Sequence, residues 1–223
     1  MKKVFQKVFS LFKKADPLRK SNARKTRGQS MVEIAIALPL LLLLFSGMVE
    51  LGFILNTYLS LLDATRASAR FYSNLDPFGP DVNEDLNRPA PDWFFIDSSS
   101  MVRVFMDPSL DPKNINYQGR KLILDPALDD VIITVYGVDN TNNSIITTGP
   151  YHVYGHATSA FTGADIQSKM ITGSPNAGIL VVEVVYSYEQ IMGLPWTAFW
   201  GDHIMLRAHT LMPLNAAEPA AGP

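Results

Sequence analysis

From Met31 to Leu55 the chain is almost uninterrupted apolar sequence, about 25 residues in which Glu33 and Glu50 are the only charged positions. A helix rising ~1.5 Å per residue crosses a hydrocarbon core ~30 Å thick in about 20 residues, so this run is long enough to span a membrane. Directly after it, NTYLSLLDATRASARFYS changes to apolar positions at helical spacing, with Leu55, Tyr58, Leu59, Leu62, Ala69 and Phe71 available for packing. Asp63 and Arg66 stand at i,i+3, a favourable helical pair, whereas Arg66 and Arg70 repel at i,i+4. The pattern predicts one helix over 29–73, on the order of 65 Å long, whose first part spans the membrane and whose second part continues as a stalk. Pro39 lacks a backbone donor and predicts a kink that a spanning helix tolerates.

The period then shortens. Residues 74–100, including LDPFGPDVNEDLNRPAPDW, carry closely spaced prolines, acids and amides and predict an irregular linker. Alternation marks MVRVFM (101–106) and DVIITVYGV (130–138) as strands. The second is followed by turn formers at 139–143 and then SIITTG, which predicts a hairpin. YHVYGHA (151–157), GILVVEVVYSYE (178–189) and HIMLRAHTLMPL (203–214) predict further strands, and 159–169 a short helix. The expected organisation is a leader at 1–28, the helix at 29–73, the linker at 74–100, a β-rich domain at 101–214 and a disordered tail at 215–223. The fold class is α+β: a long N-terminal transmembrane helix followed by a β-rich extracytoplasmic domain.

Charge orients this arrangement. Residues 1–28 hold ten of the 19 Lys and Arg residues and one of the 21 Asp and Glu residues, a net +9, against −2 for the whole chain. Bases beside a spanning helix stay on the cytoplasmic side, so the N-terminus is expected inside a cytoplasmic (inner) membrane and the C-terminal part outside it. A basic stretch also suits a DNA-binding tail, but its place beside a span assigns it to the membrane and predicts no nucleic-acid partner. Residues 1–15 gather Val4, Phe5, Val8, Phe9, Leu11 and Phe12 on one helical face, suited to the inner membrane surface, and 18–28 are polar and expected to be flexible. A cleaved secretory signal has a core of about 7–15 apolar residues closed by a small-x-small site. Here the core is longer and no such site directly follows it, so the span is expected to remain.

The junction of leader and helix reads Arg27-Gly28-Gln29-Ser30-Met31-Val32-Glu33. It resembles the class III signal of type IV pilins, in which a membrane peptidase cuts after a glycine and a glutamate is the fifth residue of the mature chain. That resemblance implies a cut after Gly28, with Gln29 as the new N-terminus and Glu33 fifth. A glycine lets the backbone extend, and a carboxylate at the edge of an apolar helix needs a partner, which the resemblance implies is a neighbouring subunit's terminal amine. A purely structural reading stands beside it, with Gly28 as loop and Glu33 favouring the helix N-terminus through the macrodipole.

The likeness extends through Ala37-Leu38-Pro39, Glu50-Leu51-Gly52 and Ala64-Thr65-Arg66-Ala67-Ser68-Ala69-Arg70. This stretch resembles the TadE-like family, pseudopilins of the tight-adherence (Tad) pilus system. Ile34 stands where that family often has an aromatic residue. The resemblance implies a minor pseudopilin rather than an enzyme. Its implied partners are the membrane, a prepilin peptidase, other pilins or pseudopilins and Tad assembly proteins. Ser46, Gly47 and Gly52 would let neighbouring helices approach closely. The alternative is an uncleaved anchor carrying an extracytoplasmic binding domain.

Glu50 lies seventeen residues beyond Glu33, or ~25 Å along a helix, so the two bracket a hydrocarbon core. The simpler expectation puts Glu50 in the outer headgroups; a deeper position needs a partner such as an arginine of a neighbouring subunit. Other chemistry is sparse. The chain has no cysteine, hence no disulfide or thiolate site. His152 and His156 would lie ~13 Å apart on a strand, too far to share an ion, and His203 and His209 are also separated. Asp129 and Asp130 point to opposite faces of a strand, and the Asp139–Asn143 turn lacks the glycine and glutamate of a calcium loop. No metal or cofactor is expected. The aromatic clusters Trp93–Phe95 and Trp196, Phe199, Trp200 suit core or interface packing better than ligand binding.

Overall fold

Helix α1 runs from Ala23 to Tyr72, beginning six residues before the expected start at 29. Ala23, Arg24, Lys25 and Arg27 are good helix formers with no breaker among them, so 23–28 join the helix instead of remaining flexible. The computed structural model describes residues 23–77, 92–139, 144–169, 178–192 and 203–214; the amphipathic stretch 1–15 and the tail expected at 215–223 lie outside them. The chain divides into two units, Met1–Met48 and Val49–Pro223. In the first, the apolar side chains from Met31 to Met48 are nearly all exposed. The 18-residue window of highest hydropathy in Ser30–Tyr72 has a mean of 2.3 with none of it buried, a surface suited to lipid.

In the second unit, α1 has a distinct buried face: Glu50, Thr57, Leu61, Ala64, Thr65, Ser68, Ala69 and Tyr72. These positions recur at three- and four-residue steps, one side of a helix. Tyr58, Leu62 and Ala69 pack as expected, but Leu55, Leu59 and Phe71 remain exposed. The face is built largely from small or hydroxylated residues. The Thr65 and Thr210 hydroxyls are 2.9 Å apart, and Ser68 Oγ donates to the Ser98 carbonyl at 2.8 Å. Bulkier residues at these positions would hold the backbones apart.

Residues 92–106 correct the sequence reading. The expected strand 101–106 is the end of a second helix, α2 (Asp92–Met106), which also occupies the last part of the expected linker. Of the rest of that linker, 78–91 lies outside the described residues. Trp93, Phe94, Phe95, Ser98, Ser99, Val102 and Met106 are buried, a helical stripe, while Phe105 is exposed. Six residues of alternating sequence are too few to separate the two periods; the aromatic triplet upstream completes the helical one. Phe94 meets Tyr72 edge-on at 5.5 Å, and Phe95 stacks on Tyr151 at 6.0 Å.

Four strands follow: β1 (Asp130–Asp139), β2 (Ser144–His152), β3 (Gly178–Glu189) and β4 (His203–Leu214). They form one antiparallel sheet in the order β2-β1-β3-β4. The hairpin, β3 and β4 match the sequence reading, although the turn at 140–143 lies outside the described residues. The expected strand 151–157 shrinks to Tyr151–His152, because Tyr154 and Ala157 donate their backbone N–H groups to Asp130 and bend the chain away. The expected helix at 159–169 is a single turn, α3 (Gly163–Gln167), capped reciprocally by Thr162 and Asp165.

Strand alternation sorts the core into two layers. Val131, Ile133 and Val135 of β1, with Leu180, Val182 and Val184 of β3, pack with Leu61, Phe94 and Val102 of the helices. On the opposite face Tyr136 and Val181 pack with Ile166 of α3. Central strands covered on both sides read as near-continuous apolar runs, as GILVVEVV does. Full burial of one such side chain contributes ~1.5–3 kcal/mol.

Candidate functional site

The membrane-entry segment lies wholly within α1. Gly28 and Gln29 are helical, and Glu33 is exposed, as are Ile34 and Pro39. Gly28 is thus helical rather than loop, and extending its backbone would mean unwinding the helix there. Glycine eases that step, since it weakens a helix by roughly 0.5–1 kcal/mol relative to alanine. Ser46 and Gly47 are half-buried, with Ser46 Oγ donating to the Leu43 carbonyl at 2.9 Å. Gly52 is exposed, and a Cβ there would meet nothing within 4 Å.

Glu50 finds its partners within its own chain. It is only 6% exposed. Oε1 accepts the Tyr188 hydroxyl at 2.7 Å and the Ile191 N–H at 3.1 Å, and Oε2 accepts the Met192 N–H at 2.9 Å. The carboxylate thus ties the end of β3, and the turn that follows, to the helix. Burial pushes the Tyr188 hydroxyl well above the usual tyrosine range, and the Glu50 hydrogen bond and charge push it further, so it remains a donor. Two helical turns on, Thr57 donates to the Phe53 carbonyl at 2.9 Å and accepts from Arg120. A cleft of about 330 Å³ opens here, lined by Thr57, Arg120, Asp125, Asp129, Tyr186 and Tyr188 among others.

Three further buried carboxylates work the same way. Asp129 accepts the N–H groups of Ser187 at 2.6 Å and Asp125 at 2.7 Å. Its neighbour Asp130, pointing to the other face, meets His152 Nδ1 at 2.9 Å and accepts the Tyr154 N–H at 3.0 Å. Glu183 accepts from the Ala160 N–H at 2.9 Å and from the Ser159 hydroxyl, with Arg207 at 3.6 Å. In each case the oxygens are occupied by donors from a loop or strand end, which stabilises the backbone and leaves little room for acid–base chemistry. Among the described residues no group of three or more His, Asp or Glu side chains is placed to hold a metal ion. His152 is engaged with Asp130, and Trp93–Phe95 are core; Trp196, Phe199 and Trp200 lie outside the described residues.

Sequence reasoning singled out Glu50 but missed Tyr188, Ile191, Met192 and Arg120. Nothing local marks them, since they stand up to 142 residues from their partner in the chain.

Residues 28–70 match the family model described as TadE-like protein. The match runs from Gly28 through Arg70, taking in Glu33, the Ala37-Leu38-Pro39 step, Glu50-Leu51-Gly52 and the Ala64–Arg70 close, and none of the sheet. No curated protein and no solved structure matches the chain.

Proposed function

We propose that this chain is a minor pseudopilin: a single-pass protein of the inner membrane, N-terminus inside, that takes part in assembling a Tad-type pilus or secretion apparatus. The observation that carries the reading is the TadE-like match. It begins at Gly28, the residue after which a class III signal would be cut, and continues along a helix with lipid-suited side chains. The basic leader orients that helix. In this reading a prepilin peptidase cuts after Gly28 and frees Gln29, and Glu33 becomes the fifth residue. The span then packs beside other subunits through its small residues while the Val49–Pro223 unit faces outward. The role is structural rather than enzymatic, in keeping with the occupied carboxylates of the sheet.

Co-expression with a cognate prepilin peptidase, followed by N-terminal sequencing of the purified protein, tests the cut. The expected result is a chain beginning at Gln29, and retention of residues 1–28 in a Gly28→Leu variant. A wild-type chain still beginning at Met1 would overturn processing and leave the uncleaved anchor as the account.

A further inference from the structure

The outward face of α1 does not change character at Glu50. Leu51 and Leu55 are 60% and 58% exposed, matching Leu41, Leu42 and Leu44 at 60–61%, and Leu59 is still 49% exposed. An apolar face of that kind is stable in hydrocarbon and costly in water. If lipid reaches Leu55, the level of Glu50 lies ~7 Å inside that boundary, at five residues of ~1.5 Å each. A carboxylate there is costly unless it is satisfied, and so is an unpaired backbone N–H. Both requirements are met at one place, because Glu50 takes the Ile191 and Met192 N–H groups and the Tyr188 hydroxyl. The same turn exposes two large apolar side chains, Ile191 at 59% and Met192 at 41%. The exposed cation Arg120 binds Thr57, seven residues or ~10 Å beyond Glu50 along the helix and just past Leu55, on the polar side of that boundary.

We propose that the turn following β3, tethered to the helix by Glu50, is sunk into the outer interface of the bilayer that α1 crosses, with Ile191 and Met192 in contact with lipid. The occupant of this apolar surface is the membrane itself. This inference rests on the membrane-span reading but not on peptidase processing.

Because the chain has no cysteine, single-cysteine variants carry a fluorophore at one known place. The full-length protein is labelled at Met192→Cys, with Ile191→Cys as a second reporter, and reconstituted singly into nanodiscs whose acyl chains carry bromine as quencher. Leu42→Cys, in the middle of the span, is the lipid control. Thr147→Cys, paired across β1 with Ile179, is the aqueous control, nine residues or ~30 Å along β3 from Tyr188. The expected result is quenching at positions 191 and 192 at least threefold that at 147, with matching protection from aqueous iodide. Adding Glu50→Ala should lower quenching at 192 toward the level at 147. Equal behaviour at 192 and 147 while Leu42→Cys is quenched overturns the proposal, and quenching at 192 that ignores Glu50→Ala overturns the tether. An unquenched Leu42→Cys removes the span reading and this inference with it; the peptidase result stands or falls separately.

Discussion

The Tyr188 hydroxyl donates to Glu50 Oε1 at 2.7 Å, joining the far end of β3 to a helix position 138 residues earlier. Hydrogen bonds to a charged group contribute about 1.5–3 kcal/mol each, and an unsatisfied buried group costs a similar amount. Tyr188→Phe is therefore expected to destabilise the Val49–Pro223 unit by ~2 kcal/mol. Glu50→Ala, which strands a hydroxyl and two N–H groups, should cost ~3 kcal/mol or more. The double variant should cost less than the sum, because the two residues share one interaction. Unfolding in lipid or mild detergent, followed by tryptophan fluorescence, measures all three.

Asp130 sets an acid limit on stability. Burial pushes its carboxyl up, but hydrogen bonds from Tyr154, His152, Ala157 and Gly155 together outweigh burial and hold it below the usual carboxylate range. Its folded value thus lies below its unfolded value of ~3.9. Such a group contributes stability that is fully present above about pH 4 and is lost as pH falls through the folded value. Asp130→Asn should lower stability at neutral pH and flatten the acid limb below pH 4. Circular dichroism across pH 2–7 checks this, and an unchanged limb would remove Asp130 from the explanation.

The helical assignment of 92–106 makes opposite forecasts for neighbouring residues. Met106 is 3% exposed and Phe105 is 52% exposed. Met106→Ala is expected to cost ~2–5 kcal/mol, whereas Phe105→Ala should stay within ~0.5 kcal/mol. Denaturant midpoints of the two variants decide it; comparable losses would argue for a different burial pattern.

Gly52 separates folding from assembly. A Cβ at this helical position meets open space, so Gly52→Ala should stabilise α1 by roughly 0.5–1 kcal/mol. If neighbouring subunits use this gap for close approach, the same variant should reduce helix–helix cross-linking in membranes despite its greater stability. Thermal unfolding and cross-linking are read in parallel, and undiminished cross-linking would exclude Gly52 from the subunit contact.

Local pattern was enough for everything that depends on one segment's solvent. The Met31–Leu55 run declares a span through its length, and GILVVEVVYSYE declares a doubly covered strand through its composition. The stretch from Gly28 to Arg70 carries the family likeness. The same local logic misread 101–106, because a short alternating stretch fits both periods until its upstream aromatics find a core. It also read the outer helix only in part: Tyr58, Leu62 and Ala69 pack, but the bulky Leu55, Leu59 and Phe71 stay exposed while Thr57, Ala64, Thr65 and Ser68 are buried. The fate of Glu50 could be decided only in three dimensions. Its position in an apolar run establishes that a partner is needed, since a bare carboxylate there is costly. Which partner answers that need depends on how β3 and its turn fold back onto the helix, and no periodicity along the chain encodes a contact across 138 residues.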